Sequence, residues 1–326
     1  MKRPCMLVTL CTLLALTVWG FSAATAAEYP VKGKPITVIV PYPAGGATDI
    51  GTRMVIEAMK DVLGATFQIV NKTGASSQVG MTELARSKPD GYTIGASPLP
   101  AAIITYLDSD RKAIYTAKSF QPLGNVSFPP VTVAVKADGP FKSVQDLVAA
   151  SKAKPETLKI ASSGAMSNNH LAILQFQKVT GARLAVVQFD GGAAGVNALL
   201  GGHVDAWAGV VSEVLPFFKG GNLRVLGVMD KQESKFLPGV KTLESQGYKV
   251  YVWGPTGLTA PAGTPKPIVD ILTKAIKKAC EDEAFLKKMD ELGFPVRYMD
   301  SEEYTRFWAE LEQQTDPLVK EAKREQ

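Results

Sequence analysis

From Pro35 to Val228 the sequence alternates short apolar runs, rich in β-branched residues, with longer amphipathic stretches. The stretch from Thr48 to Leu63 predicts a helix, because its apolar residues recur on one face and Gly64 follows it. The runs that predict strands are Ile36–Val40, Phe67–Val70, Tyr92–Ala96, Val131–Val135, Leu158–Ala161, Leu184–Phe189, Ala206–Val210 and Arg224–Val228. Strand–turn–helix units in series predict mostly parallel sheets flanked by helices, and therefore an α/β fold.

The composition is that of an ordinary globular protein, since the 326 residues are 46% hydrophobic and 21% charged. A chain of this length predicts two domains. The formal net charge is +5, but no long basic run accompanies it, so a nucleic-acid partner has little support. With 2 His and 3 Cys there are few ways to build a His/Cys metal site, and we expect no metal and no cofactor.

Residues 1–27 have the order of a secretory signal peptide. Lys2 and Arg3 precede an apolar run at 5–21, and small residues follow that run. The run is longer than is usual, so an uncleaved anchor is the alternative. After cleavage Cys280 is the last cysteine left, so the exported chain cannot form an intramolecular disulfide. We expect Cys280 to act as a small apolar residue on a helix.

Two breaks divide the rest of the sequence, Phe128-Pro129-Pro130 and Trp253-Gly254-Pro255. We expect residues 28–128 and 254–326 to form one lobe, and the inserted residues 129–253 to form the other. The two crossovers between the lobes would then act as a hinge.

Five predicted strands end in polar loops rich in Gly and Ser, at 41–49, 71–77, 96–98, 162–170 and 189–194. Helices that start after such loops present unpaired N–H groups and the positive end of the helix dipole, which suits an anion. Doubly wound sheets bind ligands at the carboxyl ends of their strands, so two such domains predict a binding cleft between them. The first loop has neither the P-loop pattern nor G-x-G-x-x-G.

The same loops carry motifs of a known family. The motifs are P-Y-P-A-G-G-A-T-D-x-G-x-R at Pro41–Arg53, Asn71–Ala75, Lys88–Thr93, Ser162–Ala172, Gly191–Asp205 and Trp253–Pro265. They resemble the Bug receptors, which are the TctC-type periplasmic solute-binding proteins of tripartite tricarboxylate transporters. The resemblance covers nearly the whole mature chain. It departs from the family pattern at Ser76-Ser77, at Ser162 and at Phe189-Asp190, in loops that face the ligand.

The resemblance implies a two-lobed type II periplasmic binding protein fold with a two-crossover hinge, located in the periplasm. It implies capture of a small organic acid (a di- or tricarboxylate, or an aromatic acid) for integral membrane transporter subunits. The family holds one carboxylate of the ligand through backbone amides of the first lobe. By position, the ligand-binding residues are Tyr42, Ala44, Gly45, Gly46, Thr48, Asp49, Ser76, Ser97, Ser163, Gly164, Asn168, Asp190 and Gly192. We expect a monomer.

Three alternatives remain at this point. A periplasmic hydrolase could use Ser163, His170 and Asp190, but no G-x-S-x-G elbow surrounds Ser163. A binding protein of an ABC importer, or a periplasmic sensor module, would have the same fold and differ only in its partner. We expect a binding protein and not an enzyme.

Overall fold

The structure is a computed structural model that describes residues 29–324, so the predicted signal peptide at 1–27 lies outside the described residues. The strands are β1 (Ile36–Val40), β2 (Phe67–Asn71), β3 (Thr93–Pro98), β4 (Phe120–Ser127), β5 (Val131–Lys136), β6 (Lys159–Ser162), β7 (Ala185–Gln188), β8 (Ala206–Val210), β9 (Leu223–Val228), β10 (Thr256–Pro261) and β11 (Val296–Met299). The α-helices are α1 (Ala47–Leu63), α2 (Gln78–Arg86), α3 (Ala101–Leu107), α4 (Val144–Ala153), α5 (Asn168–Thr180), α6 (Gly192–Leu200), α7 (Val211–Lys219), α8 (Lys266–Glu281), α9 (Glu283–Glu291) and α10 (Ser301–Arg324).

The strands form two sheets, which confirms the predicted α/β class and two-lobed architecture. The six-stranded sheet has the order β11-β4-β10-β3-β1-β2, and we call the part of the molecule built on it the first lobe. The five-stranded sheet has the order β7-β6-β8-β5-β9 and forms the second lobe. Helices flank both sheets.

The expectation that each sheet is mostly parallel is wrong. β1 pairs in parallel with β2 and β3, and β6 with β7 and β8, but β4, β5, β10 and their remaining neighbours pair antiparallel. The reason lies at the crossovers, because β4 leads directly into β5 and no helix reverses the chain between them. β10 likewise enters the first sheet directly from the second lobe.

Helix α1 shows how the first lobe is packed. Gly64 ends it in the left-handed conformation at φ 58°, as the sequence predicts. Its buried face includes Val55, Ile56 and Met59, which join the same apolar cluster as Leu272 of α8. Burial of each such side chain contributes about 1.5–3 kcal/mol, so the helix is held firmly on the sheet and its N-terminus is fixed in space.

Local capping in the second lobe also follows the sequence. The Ser143 hydroxyl accepts the Asp146 N–H at 3.1 Å, and the Asp146 carboxylate accepts the Ser143 N–H at 2.9 Å. This reciprocal pair is a capping box at the start of α4. The core of this lobe contains Phe176 and Trp207, both fully buried.

The two segments that connect the lobes lie side by side. The Gly254 N–H donates to the Pro129 carbonyl and the Val131 N–H to the Val252 carbonyl, both at 2.8 Å. The rings of Phe128 and Trp253 are 5.7 Å apart between centroids. The connections therefore form a short paired ribbon at one edge of the gap between the lobes.

Within the described residues, no helix has both the length and the apolar character to cross a bilayer. Cys280 is a free, buried residue of α8, as its setting in the sequence predicts. Burial, with a smaller contribution from Glu281, raises the pKa of its thiol to about 12, so the thiol stays protonated.

Candidate functional site

A cleft lies between the two lobes, where the N-termini of α1, α5, α6 and α7 approach one another. Its empty volume is about 700 Å³ when the open mouth is included. The residues that line it are Tyr42, Pro43, Ala44, Gly46, Ala47, Thr48, Pro98, Leu99, Ala101, Pro129, Ser163, Asn168, Asn169, Asp190, Gly191, Gly192, Ala193, Val210, Glu213, Gly254, Pro255, Thr256 and Phe294. Both lobes and both crossovers therefore contribute to one site.

The structure brings most of the predicted site residues into this cleft. Those that line it are Tyr42, Ala44, Gly46, Thr48, Ser163, Asn168, Asp190 and Gly192. Those outside its lining are Gly45, Asp49, Ser76, Ser97 and Gly164. In the second group Gly45, Ser76 and Gly164 lie in the same loops, whereas Asp49 lies in α1 and Ser97 in β3.

Asp49 holds the first loop together. Its carboxylate accepts the Gly45 N–H at 3.0 Å, Arg53 Nε at 2.9 Å and Asn71 Nδ2 at 2.8 Å. Burial alone would raise the pKa of Asp49, but the hydrogen bonds from Arg53, Asn71 and Gly45 outweigh it and hold the pKa below its ordinary value. Gly45 has φ +84°, a conformation that favours glycine, and this lets its N–H point back to Asp49.

Ser97 and Ser76 have different surroundings. Ser97 is fully buried in β3, and its hydroxyl is 3.0 Å from the hydroxyl of Tyr304. The Ser76 hydroxyl donates to the Ala165 carbonyl of the second lobe at 2.6 Å, and a Cβ at Gly164 would come within 2.7 Å of Ser76 Oγ. The loops after β2 and β6 therefore touch across the gap between the lobes.

Ser76 and Ser77 stand where the resemblance leads us to expect two glycines or Gly-Ser. Both have left-handed backbone conformations, at φ 51° and 86°. The loop after β2 thus keeps a glycine-type conformation although side chains are present, and the Ser76 hydroxyl is placed where it reaches the other lobe.

Arg111 is a second link between the lobes, and sequence reasoning missed it. Its guanidinium donates to the Ala75 carbonyl at 3.0 Å and to the Ala165 carbonyl at 2.7 Å. It lies in a short 3₁₀ turn after α3 that carries no motif, so no local signal marked it.

Ser163 and the start of α5 form part of the cleft wall in the second lobe. The Ser163 hydroxyl donates to the Ser167 hydroxyl at 3.2 Å, and Ser167 Oγ accepts the His170 N–H at 3.2 Å as the cap of α5. His170 Nδ1 accepts the Met166 N–H at 3.0 Å. Burial, and to a lesser extent Arg111, lowers the pKa of His170, so its ring is neutral near pH 7.

Glu213 is the acidic group that the sequence reading missed. It is partly buried, and it lines both the cleft and an adjoining cavity bounded by Ile50, Val196 and Phe217 among others. Its carboxylate accepts the Val210 N–H at 3.1 Å. Asn169 and the Ala47 N–H, which is the first of α1, are placed to donate to it as well. Desolvation outweighs these donors and raises the pKa of Glu213 to about 7.

The charge of the cleft lining is one-sided. Among the described residues that form it there are two acidic side chains, Asp190 and Glu213, and no Lys, Arg or His. Asp190 is exposed to solvent. In the described part of the chain, no group of three or more His, Cys, Asp or Glu residues has a spacing that suits a metal ion. Attraction for an anion must therefore come from backbone N–H groups and neutral donors.

The chain is similar to a well-defined set of proteins. A family model described as tripartite tricarboxylate transporter family receptor, TctC, matches residues 52–323. The chain is 30% identical over 277 residues to Protein BugT of Bordetella pertussis, with 84% of each protein covered. The solved structure of the periplasmic binding protein BugD is 29% identical with a TM-score of 0.83, covering 88% of this chain and 97% of that one. A second solved structure, described as a periplasmic transporter, is 28% identical with a TM-score of 0.86, covering 90% of this chain and 98% of that one.

Proposed function

Because the chain belongs to the tripartite tricarboxylate transporter receptor family, we propose that it captures a small organic acid in the cleft and delivers it to integral membrane transporter subunits. The family consists of periplasmic solute-binding proteins. One observation supports the ligand class above the others: helix N-termini from both lobes, which carry unpaired N–H groups, meet at the cleft.

Helix α1 supplies the main anion site in this proposal. The first N–H groups of a helix have no acceptor within it, and the helix dipole places partial positive charge there. Gly46, Ala47 and Thr48 lie at this end and line the cleft. The Ala47 N–H is placed to donate to Glu213, so a ligand carboxylate would accept from the Gly46 and Thr48 N–H groups and needs no basic side chain.

The second lobe completes the site. Ser163 and Asn168 stand at the start of α5, and Gly191 and Gly192 at the start of α6. We assign to them the contacts with the rest of the ligand. We assign a supporting role to Asp49 and to Ser97, because the hydrogen bonds described above direct both side chains to other parts of the protein.

Closure of the lobes on the ligand is part of the proposal. We propose that residues 28–128 and 254–326 move as one body and residues 129–253 as the other, by rotation about the paired crossovers. We also propose that residues 1–27 are a signal peptide and that the protein is a monomer. The direct hydrogen bonds from Ser76 and Arg111 to Ala165 support a closed arrangement as one of the two end states.

We propose binding and not catalysis. In a hydrolase, Ser163 would need a hydrogen bond to His170. Among the described contacts, the Ser163 hydroxyl donates to Ser167 instead, and His170 Nδ1 is occupied by the Met166 N–H. His170 thus caps a turn at the start of α5.

A thermal-shift screen tests the proposed function. The purified mature protein is heated with monocarboxylates, dicarboxylates, tricarboxylates, aromatic acids, amino acids and nicotinate-like compounds. A ligand at a hundred times its Kd adds about 2.7 kcal/mol to the free energy of unfolding and raises Tm. We expect at least one carboxylate to do so without being consumed. If none stabilises the protein, or if one is converted to product, the proposal is wrong.

A further inference from the structure

Glu213 lies in a space that the backbone keeps free for its carboxyl group. A Cβ at Gly192 would come within 1.9 Å of Glu213 Oε1, and a Cβ at Gly209 within 2.5 Å of Oε2. Both distances are far below van der Waals contact. The absence of side chains at these two positions is therefore what allows the carboxyl to lie in the cleft wall.

No basic side chain of the described cleft lining compensates this carboxyl. The charged or titratable groups that share the cleft with it are Tyr42 and Asp190, and His170 caps the neighbouring helix through Met166. The Arg111 guanidinium donates to two backbone carbonyls. The partners of the carboxylate are neutral donors, namely the Val210 N–H, Asn169 and the Ala47 N–H. A desolvated carboxylate without a counter-ion is unfavourable, which agrees with the raised pKa of Glu213, about 7.

Asn168 provides a second, independent acceptor. Its Oδ1 is buried without a hydrogen-bond partner, and the residue is only 9% exposed. It lines the cleft, as Glu213 does. A buried acceptor without a partner is unfavourable until a donor arrives. In the second lobe Glu213 and Asn168 thus offer two acceptors beside the N-termini of α5 and α6, whereas the N-terminus of α1 offers donors, of which the Ala47 N–H is directed at Glu213.

From this polarity we propose that the ligand is a carboxylate that also carries a protonated amine, which Glu213 and Asn168 receive. The inference rests on the proposed function and narrows it. A carboxylate at α1 and an ammonium group at the second lobe would satisfy both ends of the cleft. A ligand with a second ionised carboxylate would instead meet Glu213 as a like charge.

The test compares ligands that differ only at one end. Titration calorimetry at pH 8 measures butyrate, succinate and 4-aminobutyrate, and then hexanoate, adipate and 6-aminohexanoate. We expect the amino member of at least one set to bind at least tenfold more tightly than the dicarboxylate. The reverse order overturns this inference and leaves the proposed function intact. If no compound of either set binds and the wider screen is also negative, the proposed function itself is wrong.

The Glu213→Gln variant assigns the effect to this residue. We expect the amino ligand to lose at least tenfold in affinity and the monocarboxylate to change less than threefold. Glu57→Gln, at an α1 side chain that is 67% exposed, is the matched control. An amine preference that survives in Glu213→Gln overturns the role of Glu213.

The wild-type protein gives an answer even if the variant fails to fold. Between pH 5.5 and pH 8.5 Glu213 loses its proton, while the ligand ammonium, like a lysine, keeps its own. We expect the affinity for the amino ligand to rise about tenfold over this range and that for the dicarboxylate to fall. Flat profiles for both ligands overturn the inference.

Discussion

The Ser76 hydroxyl of the first lobe donates a 2.6 Å hydrogen bond to the Ala165 carbonyl of the second lobe. Arg111 donates to the same carbonyl at 2.7 Å. One backbone oxygen therefore receives two donors from the opposite lobe, and both bonds must break when the lobes separate. This relationship makes the closed state testable at a single side chain.

Ser76→Ala should weaken ligand binding about fivefold. The variant loses one interlobe hydrogen bond, which contributes about 1 kcal/mol to the closed state, and only the closed state holds the ligand from both sides. Titration calorimetry with a ligand found by thermal shift measures the change. Ser87→Ala is the matched control, because its hydroxyl donates to Glu83 within one helix at 2.9 Å. Equal affinities in wild type and Ser76→Ala would show that the hydrogen bond from Ser76 to Ala165 does not stabilise the closed state.

Ligand binding should make the protein more compact. In the proposed closure, rotation about the paired crossovers near Phe128 and Trp253 would absorb the motion, so the radius of gyration from small-angle scattering should decrease at saturating ligand. Trp253 packs between Phe128 and Tyr251, at 5.7 Å and 6.5 Å between ring centroids, so its fluorescence should change in the same step. An unchanged radius of gyration would rule out the clamp.

Glu213 should make the folded state less stable as the pH rises. Its pKa is about 7 in the folded protein against an ordinary 4.5. Between these values the folded state keeps a proton that the unfolded state has lost, so the free energy of unfolding falls as the pH increases. The full difference corresponds to about 3 kcal/mol, and the remaining solvent access reduces it, so we expect 1–3 kcal/mol.

His170 acts in the opposite direction, because its pKa is lowered in the folded state. The comparison must therefore be made between wild type and Glu213→Gln, by urea unfolding at pH 5 and at pH 8.5. At each pH we take the free energy of unfolding of the variant minus that of the wild type. This difference should be about 1–3 kcal/mol larger at pH 8.5 than at pH 5. An identical difference at both pH values would show that Glu213 does not titrate in this range.

Gly192 and Glu213 should be energetically coupled. Gly192→Ala places a methyl group 1.9 Å from Glu213 Oε1, so the carboxyl must move, at a cost of about 1–3 kcal/mol. In a Glu213→Ala background that cost should fall by at least about 1 kcal/mol. Chemical unfolding of the four proteins gives the double-mutant cycle. Equal costs in both backgrounds would contradict the contact.

The elements with strong local signals were predictable, and those defined by long-range pairing were not. β1 and β8 have the bounds that their β-branched and apolar runs predict. β4 and β10 were missed, because Pro122 and Gly257 interrupt the apolar pattern. These two strands pair with each other across more than a hundred residues, with register irregularities, and such pairing outweighs local propensity.

The loops of the site were also predictable, but the direction of individual side chains was not. Gly/Ser-rich strand ends identify where the chain can approach a ligand. The Asp49 carboxylate is held by two donors, Arg53 one turn later in α1 and Asn71 at the end of β2. These contacts decide whether Asp49 faces the ligand, and the sequence does not show them. Glu213 gave no signal, because a glutamate in the third position of a helix is ordinary capping chemistry.

The charge distribution around the first loop bears on how an anion is held. In the sequence of the two loops that precede α1 and α2, residues 41–46 and 72–77, Lys72 is the only Lys or Arg. It forms a 3.2 Å ion pair with Glu83. Both side chains of this pair are more than a third exposed, so the pair contributes little. The N–H groups at the start of α1 are fixed by the packed helix and do not depend on mobile side chains.

Ligand affinity should therefore depend weakly on salt and strongly on one backbone N–H. Fixed dipoles in a closed cleft are screened less than surface charges, so Kd should rise less than about tenfold between low and molar salt.

Gly46 has φ −82°, which proline accommodates, so Gly46→Pro chiefly removes the N–H and should abolish binding. Gly46→Ala is the control, since it keeps the N–H and its Cβ would lie 3.8 Å from the Pro43 carbonyl oxygen. Lys72→Ala should change the binding free energy by no more than about 1 kcal/mol. Titration calorimetry decides the matter: a steep salt dependence, or binding lost in Lys72→Ala and kept in Gly46→Pro, would place the anion site elsewhere.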